Sequence, residues 1–247
     1  MSKPFFTIIM ATYNSAKNIR KALSTVKNQT FNDYEVVIVD GVSKDNTLEI
    51  IEEVKDERYR YISEKDNGLY EAFNKAMKMA KGEWLYFLGS DDWFYDDHVL
   101  NDIFNHLNNA KGNVYYGDVL IKGDTGWAKD GEIYSGKFSP RKLLKKNICH
   151  QSIFYRRSFI EENNIIYNQR FYVSSDWDFT IQCFLKAKLR YIKRTIAVFV
   201  AGGVSTGVIH DPFLKERKEI YKELYEKYKP TLIMKIKTKL KKYFSFF

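Results

Sequence analysis

Within about the first ninety residues, four short apolar runs alternate with three segments of helical spacing. Nothing else in the chain constrains its fold as strongly. Residues 5–11 read as a strand, and Asn14 or Ser15 then starts a helix in which Ile19, Ala22, Leu23 and Val26 recur on one face. Residues 34–40 (YEVVIVD) form a second strand, apolar without alternation, as a strand covered on both faces should be. Leu48, Ile51 and Val54 face inward on a short second helix, and the more polar residues 58–63 make a third strand nearer the sheet edge. Leu69, Ala72, Phe73, Ala76 and Ala80 define a third helix, followed by WLYFL at 84–88 as a fourth strand. This alternation predicts an α/β fold with a parallel, doubly wound sheet. With 247 residues, 45% hydrophobic and 16% aromatic, the chain can bury one sizeable core.

In such a sheet, ligands bind outside the carboxyl ends of the strands. Asp40 ends the second strand, Asp66 follows the third, and Asp91 and Asp92 follow the fourth. Each acid alone suits a turn; together, three loops bring carboxylates to one edge, which predicts a shared site. Adjacent Asp91 and Asp92 repel, and one drifts toward protonation unless a cation lies between them. Mg²⁺ or Mn²⁺ answers that problem, since hard cations take oxygen ligands and keep substrate phosphates in their shell. Neither GxGxxG nor GxxxxGK[ST] occurs, so a metal-bridged diphosphate is the remaining way for this sheet to hold a nucleotide.

Beyond Asp92 the pattern shortens. Val99, Leu100, Ile103, Phe104 and Leu107 make a helix, residues 113–121 a strand, and the Gly-rich stretch 123–137 a hairpin or exposed loop. No linker intervenes, so residues of about 111–210 read as an acceptor-side half packed on the core of a nucleotide-binding half, about 1–110. Asp211-Pro212 starts a helix expected to reach about Tyr228. Cys149 and Cys183 form no framework and read as reduced core thiols of a cytosolic protein. PFFTIIMA is expected to be a buried strand rather than a signal peptide, and no apolar run reaches membrane-spanning length. Forty Lys and Arg against 31 Asp and Glu give a net charge of +9, which calls for an anionic partner. No basic-aromatic motif accompanies it, so nucleic acid is not expected. The tail at 231–247 carries five lysines and no acid among apolar residues. It reads either as a basic amphipathic helix on an anionic membrane, peripheral to the inner face of the cell membrane, or as a packed helix with solvated lysines.

FTIIMATYN, VDGVSKDNT, SEKDNGLYEAFNKAMKMAKGEW and FLGSDDWF, in that order, resemble the successive motifs of family 2 glycosyltransferases with a GT-A fold. The likeness is close over 4–105 and looser through HQSIFYRR, SSDWDF and GGVS. It implies a single GT-A (Rossmann-like) domain over 1–229, with a mostly parallel sheet flanked by helices, a C-terminal helical extension and a basic tail at 230–247. It further implies sugar transfer, with inversion, from a nucleoside diphosphate sugar of the UDP or GDP type. The acceptor would be a glycan or polyprenyl-linked hydroxyl in bacterial surface-polysaccharide assembly, and the metal Mn²⁺ or Mg²⁺.

Carried onto matching positions, Thr12, Tyr13 and Asn14 border the base and Asp40 bonds its imino edge. Asp66, with Asn67 and Gly68, belongs to the loop that encloses the nucleoside. Asp91 and Asp92 match the end of a DxD-like motif: Asp92 takes the metal, and Asp91 the metal or the ribose. The chain departs from DxD in having Gly89 and Ser90 ahead of the pair. Asp176 matches the general base, with Asp178 its rival. A base is needed because an acceptor hydroxyl must lose its proton as it attacks.

Four further residues border these motifs. His150, Gln151 and Trp177 are candidates for acceptor contact and His210 for the diphosphate, each set against a structural reading as core or cap. Two other functions share an acidic sheet edge: a sugar-nucleotide nucleotidyltransferase and a receiver-like, metal-dependent binding module.

Overall fold

The structure is a computed structural model that describes residues 3–134, 136–203 and 211–228. Its first half follows the alternation: β1 (Phe6–Thr12), α1 (Ile19–Lys27), β2 (Tyr34–Asp40), α2 (Thr47–Val54), β3 (Tyr59–Ser63), α3 (Leu69–Met79) and β4 (Trp84–Phe87). The strands lie parallel in the order β3-β2-β1-β4, with β3 at the edge. All seven β2 residues are buried because helices cover both sheet faces. Ile9, Val37 and Val39 pack on one side with Phe73 and Ala76 of α3. Ile8, Val36 and Ile38 pack on the other with Leu23 and Val26 of α1. Each such aliphatic side chain contributes roughly 1.5–3 kcal/mol by leaving water.

The second half adds β5 (Trp93–Phe94), α4 (Val99–Leu107), β6 (Val114–Lys122), β7 (Ile133–Tyr134), α5 (Pro140–Leu143), β8 (Ile153–Arg156), α6 (Arg157–Glu162), α7 (Ser175–Lys186), β9 (Leu189–Val200), α8 (Pro212–Ile220) and α9 (Lys222–Lys227). β8 runs antiparallel between β4 and β6, while β6 and β9 pair in parallel, so one sheet passes through both halves. β7 folds back on β6 as the expected hairpin.

Two helix boundaries differ from expectation. Neither Asn14 nor Ser15 caps α1, which starts at Ile19 with Asn18 ahead of it. Asn14 has a left-handed φ of 47°, and its side chain instead accepts from the Lys44 amide at 2.8 Å. The helix after Asp211 breaks at Tyr221, whose backbone leaves helical geometry and whose hydroxyl donates to the buried Asp178. Asp211 itself caps as expected, accepting from the Phe213 amide at 2.8 Å ahead of Pro212. Among the described residues no helix is long and apolar enough to cross a membrane. His210 and the tail 230–247 lie outside the described residues.

Candidate active site

At the carboxyl ends of β1, β2 and β4 a cavity of about 980 Å³ opens between the two halves. Thr12, Tyr13, Asp66 and Gly68 line one side, Asp91 and Asp92 the floor, and Asp176 the acceptor-side wall. The carboxylates of two of the three loops and the proposed base thus share one space.

The floor is built by a tight turn after β4, in which the Asp92 amide donates to the Gly89 carbonyl at 3.2 Å. Asp92 is 1% exposed. Its Oδ1 accepts from the Val200 amide at 2.8 Å and its Oδ2 from Gln151 Nε2 at 2.7 Å. Burial pushes the Asp92 carboxyl well above the usual range, and the neighbouring Asp91 charge adds to that. Burial also raises Asp91. The pair converges over glycine: a Cβ on Gly89 would run into Asp92 Oδ2 and come within 2.9 Å of Asp91 Oδ1. One on Gly203 would come within 3.0 Å of Asp91 Oδ2.

Two desolvated carboxylates brought together in this way suit a divalent cation, which would restore their ionised forms. No group of three or more His, Cys, Asp or Glu able to hold a metal occurs among the described residues. The donor set therefore fits a hard ion that completes its shell with water and substrate phosphate, not a closed protein cage.

Asp176 occupies the first turn of α7. The start of α7 is clamped, since Asp211 Oδ2 accepts from the Val173 and Ser174 amides at 2.7 Å each. Tyr70 of α3 donates to the Val173 carbonyl at 2.5 Å, tying the base to the nucleotide half. Burial lifts the Asp176 carboxyl to about 7, against the Trp177 amide that donates to it and the polar Asn147 side chain nearby. That value lies where a general base operates near neutrality. Asp178 does not line the cavity. Two residues further, about 200° round the helix, it points the other way, where Tyr221 and Gln182 donate to it.

Several expected contacts fall elsewhere. Asp40 is fully buried and does not line the cavity. It accepts from Thr12 Oγ1 at 3.0 Å, Ser63 Oγ at 2.7 Å, and the Ser43 amide and hydroxyl at 2.9 and 2.5 Å. Burial raises its carboxyl, but these four donors outweigh it and hold it below the usual range. With its lone pairs engaged, Asp40 locks three strand ends rather than reaching a base. Asn14 and Asn67 also stay out of the cavity, Asn14 bonded within the β1 and β2 loops and Asn67 to Glu71. Tyr13 is 63% exposed and lines the open cleft.

His150 sits in the core, its ring centroid 4.9 Å from Phe87 and its Nε2 2.6 Å from the Tyr167 hydroxyl. Burial lowers it to about 3, so the ring is neutral where it borders the cavity. Trp177 donates its indole N–H to the Leu143 carbonyl at 2.7 Å and lies under Arg217, which makes it mainly a wedge. Gln151 orients Asp92. Sequence reasoning missed Asn147, the close packing of Gly89 and Gly203 against the acids, and the clamping role of Asp211; both glycines lay within quoted motifs, and the signal at Asp211 was for a cap.

The parallel sheet, its acidic edge and the facing carboxylate define a GT-A glycosyltransferase architecture. The family model described as Glycosyl transferase family 2 matches residues 7–172. A PGL/p-HBAD biosynthesis glycosyltransferase of Mycobacterium bovis is 36% identical over 223 residues, covering 87% of this chain and 84% of that protein. The poly(ribitol-phosphate) β-N-acetylglucosaminyltransferase TarP of Staphylococcus aureus is 26% identical, covering 89% and 72%. In fold, the chain is similar to S. aureus TarS 1–349 solved with UDP-GlcNAc, with a TM-score of 0.71 at 23% identity. That match covers 83% of this chain, which spans 61% of the TarS fragment. A mannosyltransferase from Pyrobaculum calidifontis, solved with GDP-Man and Mn²⁺, gives 0.61 at 18% identity, covering 81% and 57%. The chain belongs to glycosyl transferase family 2 and is a glycosyltransferase.

Proposed function

We propose that the chain moves a sugar from a nucleoside diphosphate sugar to a hydroxyl of a glycan or lipid-linked acceptor, inverting the anomeric centre, in building a bacterial surface polysaccharide. The observation that carries this reading is that Asp91, Asp92 and Asp176 line one cavity while Asp178 does not. Family membership favours transfer over the nucleotidyltransferase and the receiver-like module that acidic strand ends alone left open.

In this reading Tyr13 stacks on the base, and Asp66 and Gly68 bound the nucleoside. Mn²⁺ or Mg²⁺ on Asp92 and Asp91 would offset the charge developing on the leaving diphosphate. Asp176, held by the Trp177 amide, takes the acceptor proton during a single displacement. One base suffices because no covalent intermediate forms. The donor precedent lies with TarS and the mannosyltransferase, solved with UDP-GlcNAc and GDP-Man.

Transfer and hydrolysis assayed over UDP-, GDP- and dTDP-sugars with Mn²⁺ test the reading. A melting shift that needs both nucleotide and metal is expected, because a ligand bound only by the folded form stabilises it. Absence of any such shift overturns the proposal. A cytoplasmic setting with membrane contact through 231–247 belongs to the same proposal. Liposome cosedimentation of the chain cut after residue 230 tests that part, with loss of binding expected.

A further inference from the structure

The acceptor-side wall of the cavity carries features that neither the base nor the metal pair uses. Trp127, at the tip of the β6–β7 hairpin, lines the cavity and is 45% exposed, unusual for the largest apolar side chain. The tip is built to present it. Thr125 Oγ1 accepts from the Ala128 amide at 2.9 Å, Asp124 Oδ1 from the Gly126 amide at 2.8 Å, and Gly126 takes a left-handed φ of 78°. The indole is braced edge-on by Tyr134 and by a tilted Phe199 ring, with ring centroids 5.1 and 5.5 Å away.

Beside this aromatic face stand two cations. Lys145 and Lys146 line the same cavity, and neither has a carboxylate partner among the described residues. Lys146 Nζ lies 4.9 Å from the Tyr134 ring centroid. The Tyr134 hydroxyl donates to the Asn147 carbonyl at 2.6 Å, which fastens the hairpin to the lysine segment. Asn147 in turn lines the cavity together with Asp176. Tyr134 therefore joins the indole face to the two adjacent cations, in the same cavity that Asp176 lines.

Aromatic faces pack on sugar rings, and unpaired lysines bind phosphate as point charges. We propose that Trp127, Tyr134, Lys145 and Lys146 form an acceptor subsite for a saccharide bearing a phosphate group, with its reactive hydroxyl near Asp176. The inference rests on the transferase reading above and names its acceptor class. Phosphate could reach the site in a lipid-linked saccharide diphosphate or in a water-soluble phosphodiester glycan; the recognition chemistry is the same.

The test uses the full chain saturated with Mn²⁺ and whichever nucleoside diphosphate shifts its melting temperature, so that the Asp91–Asp92 end is filled. Calorimetric titration then compares the 1-phosphates of glucose, galactose, mannose and N-acetylglucosamine with the matching methyl glycosides and with inorganic phosphate. At least one sugar phosphate should bind roughly ten-fold or more tighter than its glycoside, the size expected of charge-assisted bonds. Lys145→Gln with Lys146→Gln should remove that preference, the double Arg variant should keep it, and Trp127→Ala should weaken sugar phosphate but not inorganic phosphate. Equal binding of phosphates and glycosides, or a preference that survives the double Gln change, overturns the proposal. The nucleotide-dependent shift of each variant keeps the two readings apart: intact shift without phosphate preference sinks this inference alone. Repeating the titration with a saccharide diphospholipid in detergent micelles and with a soluble phosphodiester oligosaccharide identifies the source, by which of the two the double Gln change weakens.

Discussion

Gln151 Nε2 donates to Asp92 Oδ2 at 2.7 Å, so a residue on the 3-10 turn His150–Ser152 ahead of β8 orients the acid that ends the β4 turn. Gln151 is itself held, since its carbonyl accepts from Tyr86 of β4 at 2.8 Å. Removing the amide leaves a buried carboxylate with one donor fewer and favours its protonated, metal-refusing form. Gln151→Leu should therefore weaken Mn²⁺ by roughly 10–100-fold, as is usual when an outer partner of a metal ligand is lost. A Mn²⁺ titration of the nucleotide-dependent melting shift reads this directly. An unchanged midpoint would show that Asp92 does not depend on Gln151.

Gly89 gives a steric counterpart. Its α-carbon faces both acids, and an added Cβ would collide with Asp92 Oδ2. That atom sits on a side chain already pinned by Val200 and Gln151, so it cannot yield easily. Gly89→Ala should abolish metal-dependent nucleotide binding while leaving most of the sheet folded. Circular dichroism together with the melting shift separates the two effects, and a variant with normal nucleotide binding would refute the close-packed pair.

Asp176, raised to about 7 by burial, predicts opposite pH trends for turnover and stability. The base must be ionised, so kcat/KM should climb as pH rises through about 7. The folded chain holds this proton more tightly than the unfolded chain, whose carboxyl titrates near 4. Between those values the folded state binds more protons, so this group's contribution to stability falls as pH rises. Asp176→Asn should lose roughly 10²–10⁴-fold in transfer, retain the nucleotide shift, and melt no lower than the parent at pH 8. Asp178→Asn, which disturbs only the Tyr221 and Gln182 contacts, should keep turnover within a few fold. The reverse ranking of the two variants would move the base to Asp178.

Much of this site can be read along the chain because its parts are local. The strand-helix alternation, the acids after β2, β3 and β4, and the first turn of α7 each follow from a dozen neighbouring residues or fewer. Asp40 shows where local reading stops. It lies in parallel register with Thr12 on one side and Ser63 on the other, so its carboxylate is claimed by hydroxyls from neighbouring strands. Ser43, three residues on, was a visible sign of an Asx-type turn. Gln151 reaching Asp92 across 59 positions, and Tyr134 of the hairpin reaching the Asn147 carbonyl, are products of the strands of the second half assembling. No periodicity records such contacts.

His150 gives an independent check on the core. It is buried between Phe87, Phe73 and Tyr167 and is held down to about 3 by burial. In the unfolded chain the same imidazole titrates near 6.5. Below that pH the unfolded state takes up a proton that the folded state refuses, so stability falls as pH drops from about 6.5 toward 3. His150→Phe removes this proton-linked term and keeps the aromatic packing, but it strands the Tyr167 hydroxyl that His150 Nε2 now meets. The variant should be less stable than the parent at pH 7.5, by about 1–3 kcal/mol for the unpaired hydroxyl. The gap should shrink steadily toward pH 4.5. Urea unfolding of both proteins at those two pH values measures it, and a gap that stayed constant would mean that His150 is charged, or open to water, in the folded chain.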